Sequence, residues 1–369
     1  MPRSVLIVCD KNGRTSFGHL ALSMRSVLRD AGIDAETLWL ETPRYFPGDE
    51  RLPGLSLRAG SLQTGFFAFR GPFRRLLRER RPDVVLLVRP ELGFLAGEVR
   101  RALPGARAGV FVHDLFAQTL YPRSPKFALI NRFFVRGTES ADFYLYNSEW
   151  TRSRAEAHFG IAGRPGAVVG CPVDASRFFP PEAPPSAAER AAFRELRGME
   201  GFNGLCLTVS LAEPRKNVET FVEMAALRPR VAFARIGKPS EPVEALAARK
   251  RLRNFFQFAG LDDARLREFY RMADLYVCPS WLEGFGMTPL EALACGTPAV
   301  VARTSALEEI FADALPTVSP ADDARAYVEQ LDRALAGEEI VRPEAAGALL
   351  ERFSPKEFGR RLLAALPKG

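Results

Sequence analysis

Leu275-Tyr276-Val277-Cys278-Pro279-Ser280-Trp281-Leu282-Glu283-Gly284-Phe285-Gly286-Met287-Thr288-Pro289-Leu290-Glu291-Ala292 runs from an apolar stretch through a glycine-rich turn into a strong helix start. Residues 275–279 read as a strand buried on both faces, and residues 297–301 (Thr-Pro-Ala-Val-Val) read as the next one. Between them Thr288 suits a helix N-cap, Pro289 the first helical position and Glu291 the third. Strand, glycine loop, helix and strand make the unit that seats ligands at the carboxyl ends of parallel strands. Gly284 and Gly286 can adopt backbone angles forbidden to other residues and expose amides to a sugar or phosphate, with Glu283 in the same loop. Glu291 also admits a plainer role, since Thr-x-x-Glu is a capping box that needs no ligand.

The same pattern extends in both directions. Downstream of residue 204, residues 205–209, 231–236 and 255–258 are apolar runs of strand length. In the first half, residues 5–9 form an apolar run followed by a polar, glycine-containing loop over 10–18 and a helix to about Ala31; residues 83–88, 108–112 and 142–147 continue the series. Strands alternating with helical stretches argue for parallel α/β sheets. Pro180, Pro181, Pro184 and Pro185 cluster before an Ala/Arg/Glu-rich helix and mark a domain joint. The expected organisation is α/β with two Rossmann-like domains facing a central cleft, 1–178 and 179–352, and a C-terminal helical segment over 353–369.

A chain of 369 residues can bury two cores of ordinary size, and its 47% hydrophobic content fits a globular protein. No run of eighteen apolar residues occurs, and the apolar part of the N-terminus is too short for a signal peptide, so a cytoplasmic location is expected. Cys9, Cys171, Cys206, Cys278 and Cys295 are dispersed, with neither a disulfide framework nor a zinc pattern. The 51 Lys and Arg exceed the 44 Asp and Glu by seven, which suits an anionic partner, but the cations are spread along the chain and no nucleic-acid-binding signature accompanies them.

The stretch from Ala273 to Glu309 resembles the donor site of retaining glycosyltransferases of the GT-B fold, family 4, whose Glu-x7-Glu motif falls on Glu283 and Glu291. Val209-Ser210-Leu211-Ala212-Glu213-Pro214-Arg215-Lys216-Asn217 resembles the strand-to-helix loop that carries the family's diphosphate-binding cations. Many members have a further arginine where Leu211 stands, and its absence resembles the subgroup with Glu-Pro-Arg-Lys-Asn. The resemblance implies that Glu291 hydrogen-bonds the ribose, that Glu283 contacts the donor sugar, and that Gly284, Phe285 and Gly286 lend amides. It implies a base seated by Gly237, Lys238 and the Phe258-Ala259-Gly260 turn, a histidine near the donor sugar at His113, and a terminal helix that returns to the first domain. Gly13 stands where the family has a glycine-rich, phosphate-proximal turn; a turn with no phosphate contact fits the residues equally well.

Arg215 and Lys216 are expected to open a helix after a strand and, with that helix N-terminus, to hold the departing diphosphate, although an isolated Arg-Lys pair is commonly a solvated face. No Asp-x-Asp motif occurs, so these cations are expected to replace a bridging metal, and no cofactor is called for beyond the nucleotide-sugar donor, UDP- or GDP-linked. His113 follows an apolar run, which puts it at a strand's carboxyl end; Asp114 would orient its ring or bind an acceptor hydroxyl, Arg89 and Glu91 would meet the acceptor, and His19 is the weaker histidine. The segment 66–81 sets Phe66, Phe67, Phe69 and Phe73 beside six arginines. It reads either as a helix packed on its own domain with a solvated basic face or as a contact with an anionic inner-membrane face, which would suit a lipid-linked acceptor. The expected function is metal-independent, retaining transfer of a hexosyl group to a hydroxyl acceptor: a glycan, as in polysaccharide biosynthesis, a glycolipid or a small molecule. A non-catalytic nucleotide-sugar or glycan-binding protein and a sugar-nucleotide epimerase remain as alternatives.

Overall fold

The computed structural model describes residues 1–13, 15–42, 52–58, 68–115 and 135–367. The chain divides into two compact units, Met1–Pro172 with Pro355–Gly369, and Val173–Ser354.

The first unit is built on seven strands, β1 (Ser4–Cys9), β2 (Asp34–Glu41), β3 (Leu55–Arg58), β4 (Val84–Leu87), β5 (Arg107–Val112), β6 (Phe143–Tyr146) and β7 (Gly166–Val168). They pair in parallel in the order β3-β2-β1-β4-β5-β6-β7. β4 and β6 are buried at every residue, which is why their sequences run apolar without alternation. The strand order reverses between β1 and β4. The helix after β1, Ser16–Asp30, starts inside the segment expected to be loop, because the Thr15 hydroxyl caps it by accepting from the Gly18 amide at 3.1 Å. The C-terminal helix Pro355–Ala365 packs on Ser16–Asp30; a Cβ at Gly359 would lie 2.6 Å from the Val27 side chain.

The second unit carries β8 (Leu205–Val209), β9 (Ala232–Ile236), β10 (Phe255–Phe258), β11 (Leu275–Cys278), β12 (Ala299–Ala302) and β13 (Thr317–Val318), parallel in the order β10-β9-β8-β11-β12-β13. Here the order reverses between β8 and β11. Phe221, Phe233, Val277, Val300 and Tyr327 pack one face of this sheet against its helices.

Two local expectations are corrected. Thr288 is not an N-cap: the helix spans Met287–Ala294 and begins from Gly286 at φ 108°, while the Thr288 hydroxyl accepts from Tyr276 at 2.7 Å. Glu291 therefore lies a full turn inside the helix and closes no capping box. Arg215 and Lys216 do not open a helix either; they lie in a 3-10 turn, Pro214–Lys216. Asn217 then takes a left-handed conformation, φ 51°, before the helix Val218–Leu227.

In the basic segment, Phe66 and Phe67 lie outside the described residues. The helix Arg70–Arg80 packs Phe73 and Leu77, with Phe69 beside its start, into the first unit. Buried Glu98 accepts from Arg74 and Arg101, and Arg75, Arg78 and Arg81 remain exposed. No helix among the described residues is long and apolar enough to cross a membrane.

Candidate functional site

Loops that leave the carboxyl ends of two strands at an order reversal diverge and leave room for a ligand. In the second unit those loops follow β8 and β11, and they carry the charged residues singled out from the sequence. Lys216 Nζ donates to Glu283 Oε1 at 2.6 Å, and Arg215 Nη1 donates to Glu283 Oε2 at 3.2 Å. The Ser280 hydroxyl also donates to Oε1, at 2.9 Å. The Trp281 amide donates to the Arg215 carbonyl at 2.8 Å, which straps the two loops together. Asn217 anchors the turn from beneath, donating through its side-chain amide to the carbonyls of Pro279 and Ala321. Burial by itself would raise the Glu283 carboxyl, but Lys216 and Arg215 outweigh it and hold the group below the ordinary carboxylate range. Glu283 is thus an ionised, two-cation-bound side chain that is 7% exposed.

Eight positions along, Glu291 sits in a different environment. Its Oε2 accepts from the Tyr270 hydroxyl at 3.0 Å. Burial pushes its pKa up to about 7, opposed by the Tyr270 hydrogen bond and by Arg177. Arg177 is itself held by a two-pronged pair with Asp263, 2.7 Å at each contact. The two carboxylates of the motif are therefore distinct, one locked ionised and one poised near neutrality.

The glycines divide by role. Gly286 needs its positive φ, and a Cβ there would also come within 2.8 Å of Leu307 and Phe311. Phe285 is buried edge-on against Phe353, with ring centroids 5.0 Å apart. Its side chain is core, and only its amide is available for the expected role; no backbone hydrogen bond among the described residues takes up the amides of Phe285 or Gly286. Gly237 donates to the Phe258 carbonyl at 2.9 Å, so these two residues expected near the base meet at the ends of β9 and β10. A Cβ on Gly237 would lie 2.1 Å from the Ser210 carbonyl oxygen, a packing reason for glycine that needs no ligand.

In the first unit the order reversal falls between β1 and β4, and its loops carry a second charged cluster. Arg89 Nε donates to Glu91 at 2.9 Å, and Arg89 Nη1 reaches Asp10 at 3.3 Å, with Lys11 3.6 Å from the same carboxylate. His113 stands at the end of β5, its ring stacked on Phe111 at 4.4 Å and edge-on to Phe17 at 4.6 Å. Its Nε2 lies 2.7 Å from the Val88 carbonyl, which assigns the proton to that nitrogen. Burial lowers its pKa to about 3, so at neutral pH the ring is uncharged and offers Nδ1 as an acceptor. Gly13 has no positive φ; a Cβ there would meet the Leu52 side chain at 3.0 Å. The close backbone approach in this loop belongs to Gly18, where a Cβ would fall 1.9 Å from the Asn12 carbonyl oxygen. His19 enters the first helix.

Residues 203–346 match the family model described as Glycosyl transferases group 1, and residues 19–177 match Glycosyltransferase Family 4. The chain belongs to these glycosyltransferases. It is 30% identical over 191 residues to D-inositol 3-phosphate glycosyltransferase 2 of Catenulispora acidiphila, an alignment covering 47% of this chain and 43% of that relative. This family member spans about half the length of the curated relatives it matches. Sucrose-phosphate synthase from Thermosynechococcus elongatus superposes with a TM-score of 0.78 at 18% identity, over 99% of this chain and 100% of that one. HepE of Anabaena, solved with UDP and glucose, superposes at 0.72 with 16% identity, over 99% and 100%. The fold is GT-B, as the resemblance implied.

Several residues of the family member's site escaped sequence reasoning. Ser280 and Tyr270 touch the two glutamates, yet nothing in the local pattern distinguishes them from other loop and helix residues. Asp10 and Lys11 had a usable signal, their place directly after the first buried strand.

Proposed function

We propose that the chain is a retaining glycosyltransferase that moves a hexosyl group from a nucleotide-sugar to a hydroxyl acceptor without a divalent metal. The observation that carries this reading is the convergence of Lys216, Arg215 and Ser280 on Glu283 at the order reversal of the second sheet. Two cations fixed by one carboxylate are pre-positioned for a diphosphate, whose negative charge grows as the bond to the sugar breaks. Lys216 and Arg215 take that charge, and the amides of Phe285 and Gly286 at the helix start add to it. Glu283 positions the sugar hydroxyls. It is a poor nucleophile because both its oxygens are held by cations and its basicity is depressed, so attack and departure on the same face need no covalent sugar–enzyme intermediate. Glu291 accepts from the ribose hydroxyls, and neutral His113 acts as a hydrogen-bond acceptor toward substrate rather than as an acid.

UDP is the first donor nucleotide to test, since the structural neighbour HepE was solved with it, and GDP the second. The acceptor is a glycan, glycolipid or small molecule, in a cytoplasmic reaction. The exposed Arg75, Arg78 and Arg81 supply the charge for contact with an anionic membrane face if the acceptor is lipid-linked. The test is a thermal-shift screen against UDP, GDP, ADP, CMP and dTDP in the presence of EDTA, followed by transfer assays and NMR of the product anomer. Selective stabilisation by one nucleotide, transfer in EDTA and retained anomeric configuration are expected. Absence of any nucleotide response, or an inverted product, would overturn the reading.

A further inference from the structure

Arg235 lies within β9 and is fully buried, 0% exposed. Nη1 donates to the Lys238 carbonyl at 3.0 Å and to Gln257 Oε1 at 2.5 Å, and Nη2 donates to the Ser210 carbonyl at 2.9 Å. Among the described residues no carboxylate pairs with it, and its Nε is buried without an acceptor. Burial accordingly lowers its pKa from the usual arginine value, yet an arginine remains charged in any protein environment. An uncompensated buried cation is costly, and in an ordinary strand an apolar residue would serve better.

Its three acceptors tell what it is for. Ser210 opens the loop after β8 that ends in Arg215 and Lys216, Lys238 lies in the loop after β9, and Gln257 lies in β10. The guanidinium ties the bases of these neighbouring carboxyl-end segments together, and the missing side chain of Gly237 lets Ser210 approach, since a Cβ there would also sit 3.0 Å from Nη2. We propose that Arg235 is a positioning residue for the donor diphosphate: it sets the loops of the nucleotide subsite and supplies, from beneath them, a positive charge that the bound diphosphate compensates. The proposal rests on the transferase reading and adds to it a discriminator between nucleoside diphosphates and monophosphates.

The experiment is calorimetric titration of the full chain with UDP and UMP, or with GDP and GMP if the screen selects guanine. Arg235→Gln removes the charge, Arg235→Lys keeps it, and Gln257→Glu neutralises it in place by putting a carboxylate where the amide oxygen now accepts. Arg235→Gln and Gln257→Glu should each weaken the diphosphate about tenfold and the monophosphate by no more than about threefold. Arg235→Lys should keep most of the diphosphate preference. If Arg235→Gln does not fold, Gln257→Glu decides. A wild-type diphosphate-to-monophosphate ratio in both neutralised variants, or equal loss of both ligands, overturns the proposal while leaving the transferase reading intact. A wild-type protein that binds no nucleotide removes both.

Discussion

Glu291 should make donor binding depend on pH, and Tyr270 should set where. An ionised carboxylate accepts roughly twice as strongly from a ribose hydroxyl as a protonated one. With its pKa near 7, Glu291 loses that advantage as the pH falls through neutrality, so donor affinity should fall on acidification. The Tyr270 hydroxyl at 3.0 Å favours the ionised form. A hydrogen bond to a charged acceptor is worth about 1.5–3 kcal/mol against about 0.5–1.5 for a neutral one, a difference of about 1.4 kcal/mol or one pKa unit. Tyr270→Phe should therefore move the midpoint from about 7 to about 8. The assay is calorimetric titration with the preferred nucleoside diphosphate from about pH 5.5 to 9, using Glu291→Gln to subtract the ligand's own terminal-phosphate ionisation near pH 6. The stability sign is opposite: a carboxyl whose folded pKa is raised contributes most when protonated, so its contribution declines as pH rises from the ordinary glutamate value of 4.5 toward 7. A wild-type profile identical to that of Glu291→Gln, or an unmoved midpoint in Tyr270→Phe, would refute the reasoning.

Three further outcomes are expected. Lys216→Ala removes a charge-assisted contact worth about 1.5–3 kcal/mol, so diphosphate affinity should fall about 10- to 150-fold; calorimetry on the folded variant checks it, and undiminished affinity removes Lys216 from the site. Gly286→Ala combines a disfavoured backbone angle with crowding against Leu307 and Phe311 and should cost about 2–5 kcal/mol in urea unfolding, with a near-neutral result contradicting the assigned loop geometry. The His113 ring should show no titration between about pH 5 and 8 by NMR, and an inflection near the free imidazole value of about 6.5 would contradict the neutral tautomer bonded to Val88.

Much of the fold was legible because its signals are local. Apolar runs such as residues 83–88 and 275–279 could only be strands covered on both faces, and their alternation with helices specified parallel sheets. Glu283, Arg215 and Lys216 sit in loops that follow such runs and Glu291 in the helix beyond, and it was their resemblance to the family's motifs that singled them out. Local chemistry misled where a distant partner intervened: Thr288 looks like a cap until the Tyr276 hydroxyl engages it and Gly286 takes over the helix start.

The order of strands in each sheet, and so which loops meet at an order reversal, was decided only by tertiary structure. So were the pairing of Asp10 with Arg89 across 79 positions and the seat of Glu291 against Tyr270. Sequence by itself determined the α/β class and the strand and helix series, because hydrophobic periodicity and turn chemistry act over a few residues, while the charged motifs were legible through their resemblance to the family's. Whether a given charge is poised, locked or uncompensated, as for Glu291, Glu283 and Arg235, depends on burial and on partners supplied from elsewhere in the chain, since desolvation and Coulomb energy are set by three-dimensional neighbours.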